Sequence, residues 1–210
     1  MENPVLIFGA KGLGVVALDI FQRNNVVVYG LLDDDPNLHN TQIGEYTVLG
    51  STDDDGFLKL IGKKCEAFVA IEARAERHDL VEMLNERRSI MPVNAIHDTA
   101  IISTFALIGH GNLIGARVAI SSKVVLGHHS ILHTGVVIEH DAILGDYVNI
   151  GAGSIIGSGV VIDQDAFIGS GVTVISGVKI GKGASVGAGS VVVENVPSGS
   201  RVFGNPAKKV

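Results

Sequence analysis

From Ala100 to Asn195 the chain repeats every six residues without a break. In frame it reads AIISTF, ALIGHG, NLIGAR and so on to ASVGAG and SVVVEN, sixteen hexads in all. The third residue of each is Ile, Leu or Val, from Ile102 through Ile138 and Ile156 to Val192. The first residue is Ala, Ser or Val everywhere except Asn112. A period of six fits neither a helix nor an alternating strand; it is the signature of a hexapeptide solenoid. Each hexad supplies one short strand and one turn. Three strands close a triangular coil of about 18 residues, and successive coils stack at roughly 4.8 Å, the spacing of hydrogen-bonded strands. The pattern predicts that the aliphatic third position and the small first position point inward. The fourth to sixth positions, rich in Gly and small polar residues, make the corners. No insertion interrupts the repeat, so no long loop leaves the prism.

Residues 1–97 follow a different rule. Apolar runs at Val5 to Phe8, Val26 to Leu32 and Ala67 to Ile71 read as strands. Leu13 to Arg23, Asp53 to Ile61 and Glu72 to Arg88 read as helices, and Pro92 to Ile96 leads into the repeat. Strand and helix in alternation predict a small parallel sheet. The fold class expected is therefore an α/β Rossmann-like domain, residues 1–97, followed by an all-β parallel helix, residues 98–210. Aromatic residues make up only 5 % of the chain, in keeping with a core of stacked Ile and Val. The net charge of −6 argues against a nucleic-acid footprint. A single cysteine, Cys65, excludes an internal disulfide and fits a reducing compartment. With no leader pattern and no long apolar run, the expected location is cytoplasmic.

Two regions carry chemistry. The first strand runs into Gly9-Ala10-Lys11-Gly12-Leu13-Gly14 and then a helix, and the second strand ends in Asp33-Asp34-Asp35. Glycines there permit a tight turn and close approach of a ligand, and the helix start offers N–H groups to an anion. Acids at the second strand end can bond a ribose or a base. The spacing is G-x-x-G-x-G rather than G-x-G-x-x-G, which weakens a dinucleotide reading. A nucleotide or nucleotide-sugar site and a turn that merely packs helix on strand both fit. In the solenoid, His140 is followed by Asp141, and a carboxylate beside an imidazole can fix its tautomer and support it as a general base. Ser158, one coil further along the same face, offers a backbone N–H to a developing oxyanion. His110 and His128, 18 residues apart, should stack on one face, and with no acid beside them they read as surface residues.

The hexads, the Rossmann-like front, the run Ile138-Glu139-His140-Asp141 ahead of Gly145-Asp146-Tyr147, and the tail Gly204-Asn205-Pro206-Ala207-Lys208 resemble one family. It is the sialic acid O-acetyltransferase-like family of left-handed β-helix acyltransferases, which includes the bacterial UDP-4-amino-sugar N-acetyltransferases. The resemblance implies an acetyl-CoA-dependent acetyltransferase that modifies an amino or hydroxyl group of a sugar or nucleotide-sugar. It implies a homotrimer with acetyl-CoA between neighbouring prisms, and no metal. His140 is implied as general base, with Asp141 raising its basicity. Lys11, Gly12, Leu13, Asp33 and Asp34 are implied to hold the acceptor's nucleotide, and Asn149, Ser170 and Ala188 to contact CoA.

The chain departs from that family in three places. Asn149 and His133 look exchanged relative to the usual pair. Leu13 stands where the loop usually has histidine. Glu72 stands where the third strand end usually has glycine, adding bulk and negative charge on the acceptor side, with Arg74 and Arg77 as the cations near enough in sequence to offset it. A non-catalytic solenoid scaffold with a nucleotide-sensing front domain is the alternative from another class. A three-histidine metal enzyme of carbonic-anhydrase type is disfavoured by the spacing of His110, His128 and His133.

Overall fold

The computed structural model describes residues 3–210. The chain forms two compact units, the first ending at Asp98 and the second spanning Thr99–Val210.

The first unit is built on a sheet of five strands: β1 (Val5–Phe8), β2 (Val28–Leu32), β3 (Gln42–Ile43), β4 (Tyr46–Gly50) and β5 (Glu66–Val69), in the order β3-β4-β2-β1-β5. β1, β2, β4 and β5 run parallel, and β3 pairs antiparallel to β4. α1 (Leu13–Arg23) connects β1 to β2 over the residues expected, burying Leu13, Ala17, Leu18, Ile20 and Phe21. α3 (Arg74–Arg88) follows β5 and buries Leu80 and Leu84. The expected helix over Asp53 to Ile61 contracts to one turn, α2 (Asp55–Leu58). The Asp54 side chain caps it by accepting from the Gly56 N–H at 2.6 Å, and Gly62, with φ 75°, turns the chain away soon after. The hairpin β3–β4 was missed because its strands show little alternation. Cys65 is buried among Leu6, Phe8, Leu58, Ile61 and Leu84.

Within the repeat, the second unit carries sixteen two-residue strands, one per hexad, at the second and third positions. Each pairs in parallel with the strand one coil away. Ile120 pairs with Ile138 and Ile138 with Ile156 on the first face. Leu126, Leu144 and Ile162 are matched on the second, and Leu132, Ile150 and Ile168 on the third. Every register step is one 18-residue coil, as the period requires. Third-position side chains from Ile114 to Val192 are at most 2 % exposed; each contributes roughly 1.5–3 kcal/mol by leaving water. Ile102 and Ile108, in the first coil, are only half-buried.

First-position residues from Asn112 to Ser190 are buried as well, and the polar ones are satisfied by the neighbouring coil. Asn112 donates to the Gly127 carbonyl at 3.0 Å and accepts from the Ser130 N–H at 2.8 Å. The Ser154 hydroxyl donates to the Gly169 carbonyl at 2.9 Å and accepts from the Val172 N–H at 3.2 Å. The lone exception to the small-residue rule is thus a core hydrogen-bonding residue. The corners turn at the sixth position, which is left-handed from coil to coil: Asp141 has φ 60° and Gly159 φ 63°. Glycine holds many of these positions because an L side chain is strained there.

Candidate active site

His140 and Asp141 form the corner after the strand Val137–Ile138. Both are more than half exposed, and His140 Nδ1 lies 2.7 Å from Asp141 Oδ2. The left-handed backbone at Asp141 folds its carboxylate back onto the ring before it. The hydrogen bond from His140 holds the Asp141 carboxyl below its ordinary range, and Lys123 and the imidazole charge act in the same direction. An ionised carboxylate only accepts, so Nδ1 carries the proton and Nε2 presents its lone pair outward.

Ser158 takes the equivalent corner position one coil on. The Gly159 N–H donates to the His140 carbonyl at 3.0 Å, which fixes the two corners in register. The Ser158 carbonyl accepts from the Gly177 N–H at 2.9 Å, and its hydroxyl lies 3.0 Å from that of Ser176. The Ser158 N–H donates to no protein group among the described residues.

The CoA candidates lie elsewhere on the same prism. Asn149 is on a third-face strand and 8 % exposed. Ser170 and Ala188 are exposed at the corner after that face and stack directly, the Gly189 N–H donating to the Ser170 carbonyl at 2.8 Å. The first face lies between this corner and that of His140. Within one chain the structure therefore brings His140, Asp141 and Ser158 together, and separately Ser170 and Ala188. His133 belongs to the third-face corner one coil below Gly151, donating its N–H to the Ile150 carbonyl at 3.0 Å.

His110 and His128 do stack, with ring centroids 4.0 Å apart, at the corner after the second face. His129 joins them, its ring 5.0 Å from His110 and 5.0 Å from Tyr147. The ladder is tied to the backbone: the His110 N–H donates to His128 Nδ1 at 3.1 Å, and the His128 N–H to Asp146 at 2.7 Å. These imidazoles hold a corner together.

In the first unit, the glycine-rich loop closes one side of a cavity of about 320 Å³ lined by Lys11, Gly12, Leu13, Asp33, Glu72 and Glu76, among others. Gly14 allows α1 to start there, since a Cβ at that position would collide with the Gly9 carbonyl. The starts of α1 and α3 both face the cavity, and neither has a side-chain cap, so backbone donors point into it.

The acids after β2 build the loop. Asp33 accepts from the Ala10 N–H at 2.8 Å and the Asp35 N–H at 2.9 Å. Asp34 accepts from the Thr52 N–H at 2.8 Å and from its hydroxyl. Asp35, the third acid of the run, pairs with Lys11 at 2.6 Å. Arg77 is 1 % exposed and donates to the carbonyls of Ile71 and Glu72 at 2.6 and 3.0 Å, fixing the loop after β5. Nothing in the sequence marked Arg77 as buried; its place among the polar residues of α3 reads as surface.

An imidazole with a fixed tautomer and an outward Nε2, on an uninterrupted hexapeptide prism, suits acyl transfer to a nucleophile, and the fold defines the class of hexapeptide-repeat transferases. Residues 4–84 match the PglD N-terminal domain model, and residues 123–158 and 159–193 match the bacterial hexapeptide transferase repeat. A crystal structure of GDP-perosamine N-acetyltransferase from Caulobacter crescentus, a His-to-Ala variant in complex with CoA and GDP-perosamine, is 32 % identical with TM-score 0.91, the match covering 99 % of this chain and 96 % of that one. WeeI from Acinetobacter baumannii AYE is 26 % identical with TM-score 0.87, covering 99 % of each chain. The acetyltransferase domain of PglB from Neisseria gonorrhoeae, solved with acetyl coenzyme A, shares the fold along the whole length of both chains at 24 % identity and TM-score 0.89. Among curated protein sequences none matches. The chain belongs to the hexapeptide-repeat sugar acetyltransferases with a PglD-type N-terminal domain. Among the described residues no helix is long and apolar enough to cross a membrane.

Proposed function

We propose that this protein transfers the acetyl group of acetyl-CoA to the amino group of a nucleotide-linked sugar, with His140 as general base. The observation that carries the reading is the His140–Asp141 pair, 2.7 Å apart at an exposed corner, in a chain 32 % identical over 99 % of its length to an N-acetyltransferase of GDP-perosamine. That relative's complexes with CoA and GDP-perosamine include forms in which one histidine is alanine or asparagine.

In the reaction the acceptor nitrogen attacks the thioester carbonyl carbon. His140 Nε2 takes the proton the nitrogen loses as the C–N bond forms, and Asp141 balances the imidazolium. The Ser158 N–H donates to the oxyanion. The C–S bond then breaks, the carbonyl re-forms, and the imidazolium returns the proton to the thiolate, releasing CoA. Asn149, Ser170 and Ala188 contact CoA. The nucleotide sits in the first-unit cavity against Lys11, Gly12 and Leu13, with Asp33 and Glu72 in its walls, while Asp34, bonded to Thr52, holds the loop behind them.

The same reading makes the enzyme a homotrimer. Two corners of one prism carry the two halves of the proposed site, and a neighbouring copy closes a groove for CoA. Exposed Leu107, Val125 and Ile143 form an apolar stripe on the second face, and apolar stripes of this kind favour association. The test is thiol release from acetyl-CoA with GDP- and UDP-linked amino sugars, wild type beside His140→Ala, with the mass measured by light scattering. Turnover that survives in the variant contradicts the role of His140, and a monomer of 21.9 kDa contradicts the trimer.

A further inference from the structure

We propose that Lys11 is the counter-ion for the acceptor's diphosphate and that Asp35 holds it in reserve, releasing it when the nucleotide binds. The inference rests on the reading of the first-unit cavity as the acceptor site, and it assigns Asp35 a part in setting acceptor affinity.

Among the described residues lining the cavity, Lys11 is the one cation, and it faces Asp33, Glu72 and Glu76. A sugar nucleoside diphosphate brings two further negative charges into this lining. The uncapped starts of α1 and α3 offer partial positive charge and N–H donors, which act over the first turn only. Within the lining, the full positive charge available to a diphosphate is that of Lys11. Yet Lys11 Nζ already lies 2.6 Å from Asp35 Oδ2. The Lys11 side chain is 63 % exposed and that of Asp35 29 % exposed, and exposed ion pairs contribute little net stability. A diphosphate with more charge and more acceptor oxygens out-competes one carboxylate for the ammonium.

The bond from Lys11, joined by those from Asn37, holds the Asp35 carboxyl down at about 2. The clasp is therefore present at any assay pH, and every binding event displaces it. Asp35 itself stays in place after Lys11 leaves. Its Oδ1 accepts from the Asn37 N–H at 3.0 Å and caps the turn Pro36–Leu38, so asparagine preserves that bond and removes only the charge.

Isothermal titration of the full-length protein with GDP and with UDP tests the proposal in wild type, Lys11→Met and Asp35→Asn. Lys11→Met should weaken binding about tenfold or more, and wild-type affinity should fall with added salt more steeply than that of Lys11→Met. Asp35→Asn should bind several-fold more tightly, because the competitor is gone. An unchanged affinity in Lys11→Met overturns the proposal. So does weaker binding in Asp35→Asn with an unchanged melting midpoint, since Asp35 would then orient Lys11 rather than compete for it. If wild type binds neither nucleotide, the cavity is not the acceptor site and the underlying reading falls with the inference. If wild type binds and the variants match it, only the inference falls.

Discussion

The carboxylate of Asp141 lies 2.7 Å from Nδ1 of His140, although the two residues are neighbours in sequence. Adjacent side chains on an extended strand point apart. These meet because Asp141 sits in the left-handed region with φ 60°, the conformation the corners use from Gly111 to Gly189.

The pairing yields two separable outcomes. Asp141→Gly suits the left-handed corner and should leave the melting midpoint unlowered, while kcat falls 10- to 100-fold. Asp141→Asn should lose rate similarly. The His140 bond depresses the Asp141 carboxyl, so by linkage the contribution of the pair is present above that depressed value and is lost as pH falls through it. Kinetics and thermal melts on both variants check this. A full-rate Asp141→Gly enzyme would show the carboxylate to be a corner residue only.

Ile156 is fully buried and pairs with Ile138 below and Val174 above. Ile156→Ala should cost about 2–5 kcal/mol, the range for a truncated core aliphatic. Because it stacks within the coil that carries Ser158, the loss should also show in kcat before global unfolding. Urea denaturation with parallel activity measurement distinguishes this from a purely local effect.

Arg77 is buried, and its guanidinium bridges the carbonyls of Ile71 and Glu72. Arg77→Ala should destabilise the first unit by about 1–3 kcal/mol, since truncation strips two partly buried carbonyls of their donor. It should also loosen the cavity wall, raising KM for the acceptor more than KM for acetyl-CoA. Equal effects on both substrates would place its role outside the cavity.

Cys65 is fully buried, and burial pushes its thiol up to about 11. The thiolate is the reactive form, so the folded protein should not react with a disulfide reagent at pH 7 to 8 and should release one thiol equivalent on denaturation. Free-thiol readings during turnover then report CoA alone. Rapid labelling of the native protein would contradict the buried assignment.

How much of this was legible depended on how local the cause was. The hexads fixed the prism because each repeat faces the same inward and outward choices, so Ile138, Ile150 and Ile156 fell where a period of six puts them. α1 was placed correctly over Leu13–Arg23, since Gly12 and Gly14 mark its start and Asn24 its end. The contraction of α2 and the β3–β4 hairpin depend on single turn residues with weak patterns. In the site, the 18-residue step put Ser158 beside His140. The roles of Asp33, Asp34 and Asp35 could not be read, because whether a carboxylate faces ligand or loop depends on the backbone N–H groups that reach it. Arg77 was hidden for the same reason: its carbonyl partners lie on a loop whose path no local pattern encodes.

The most direct test of the central claim is acetyl transfer by His140→Ala beside wild type, with acetyl-CoA affinity measured on the same samples. With His140 as general base, kcat should be at least about 100-fold lower, with acetyl-CoA binding within about threefold of wild type, because the imidazole serves the acceptor's proton and not the CoA contacts. Turnover near the wild-type level, with the same acceptor and the same pH profile, would contradict it.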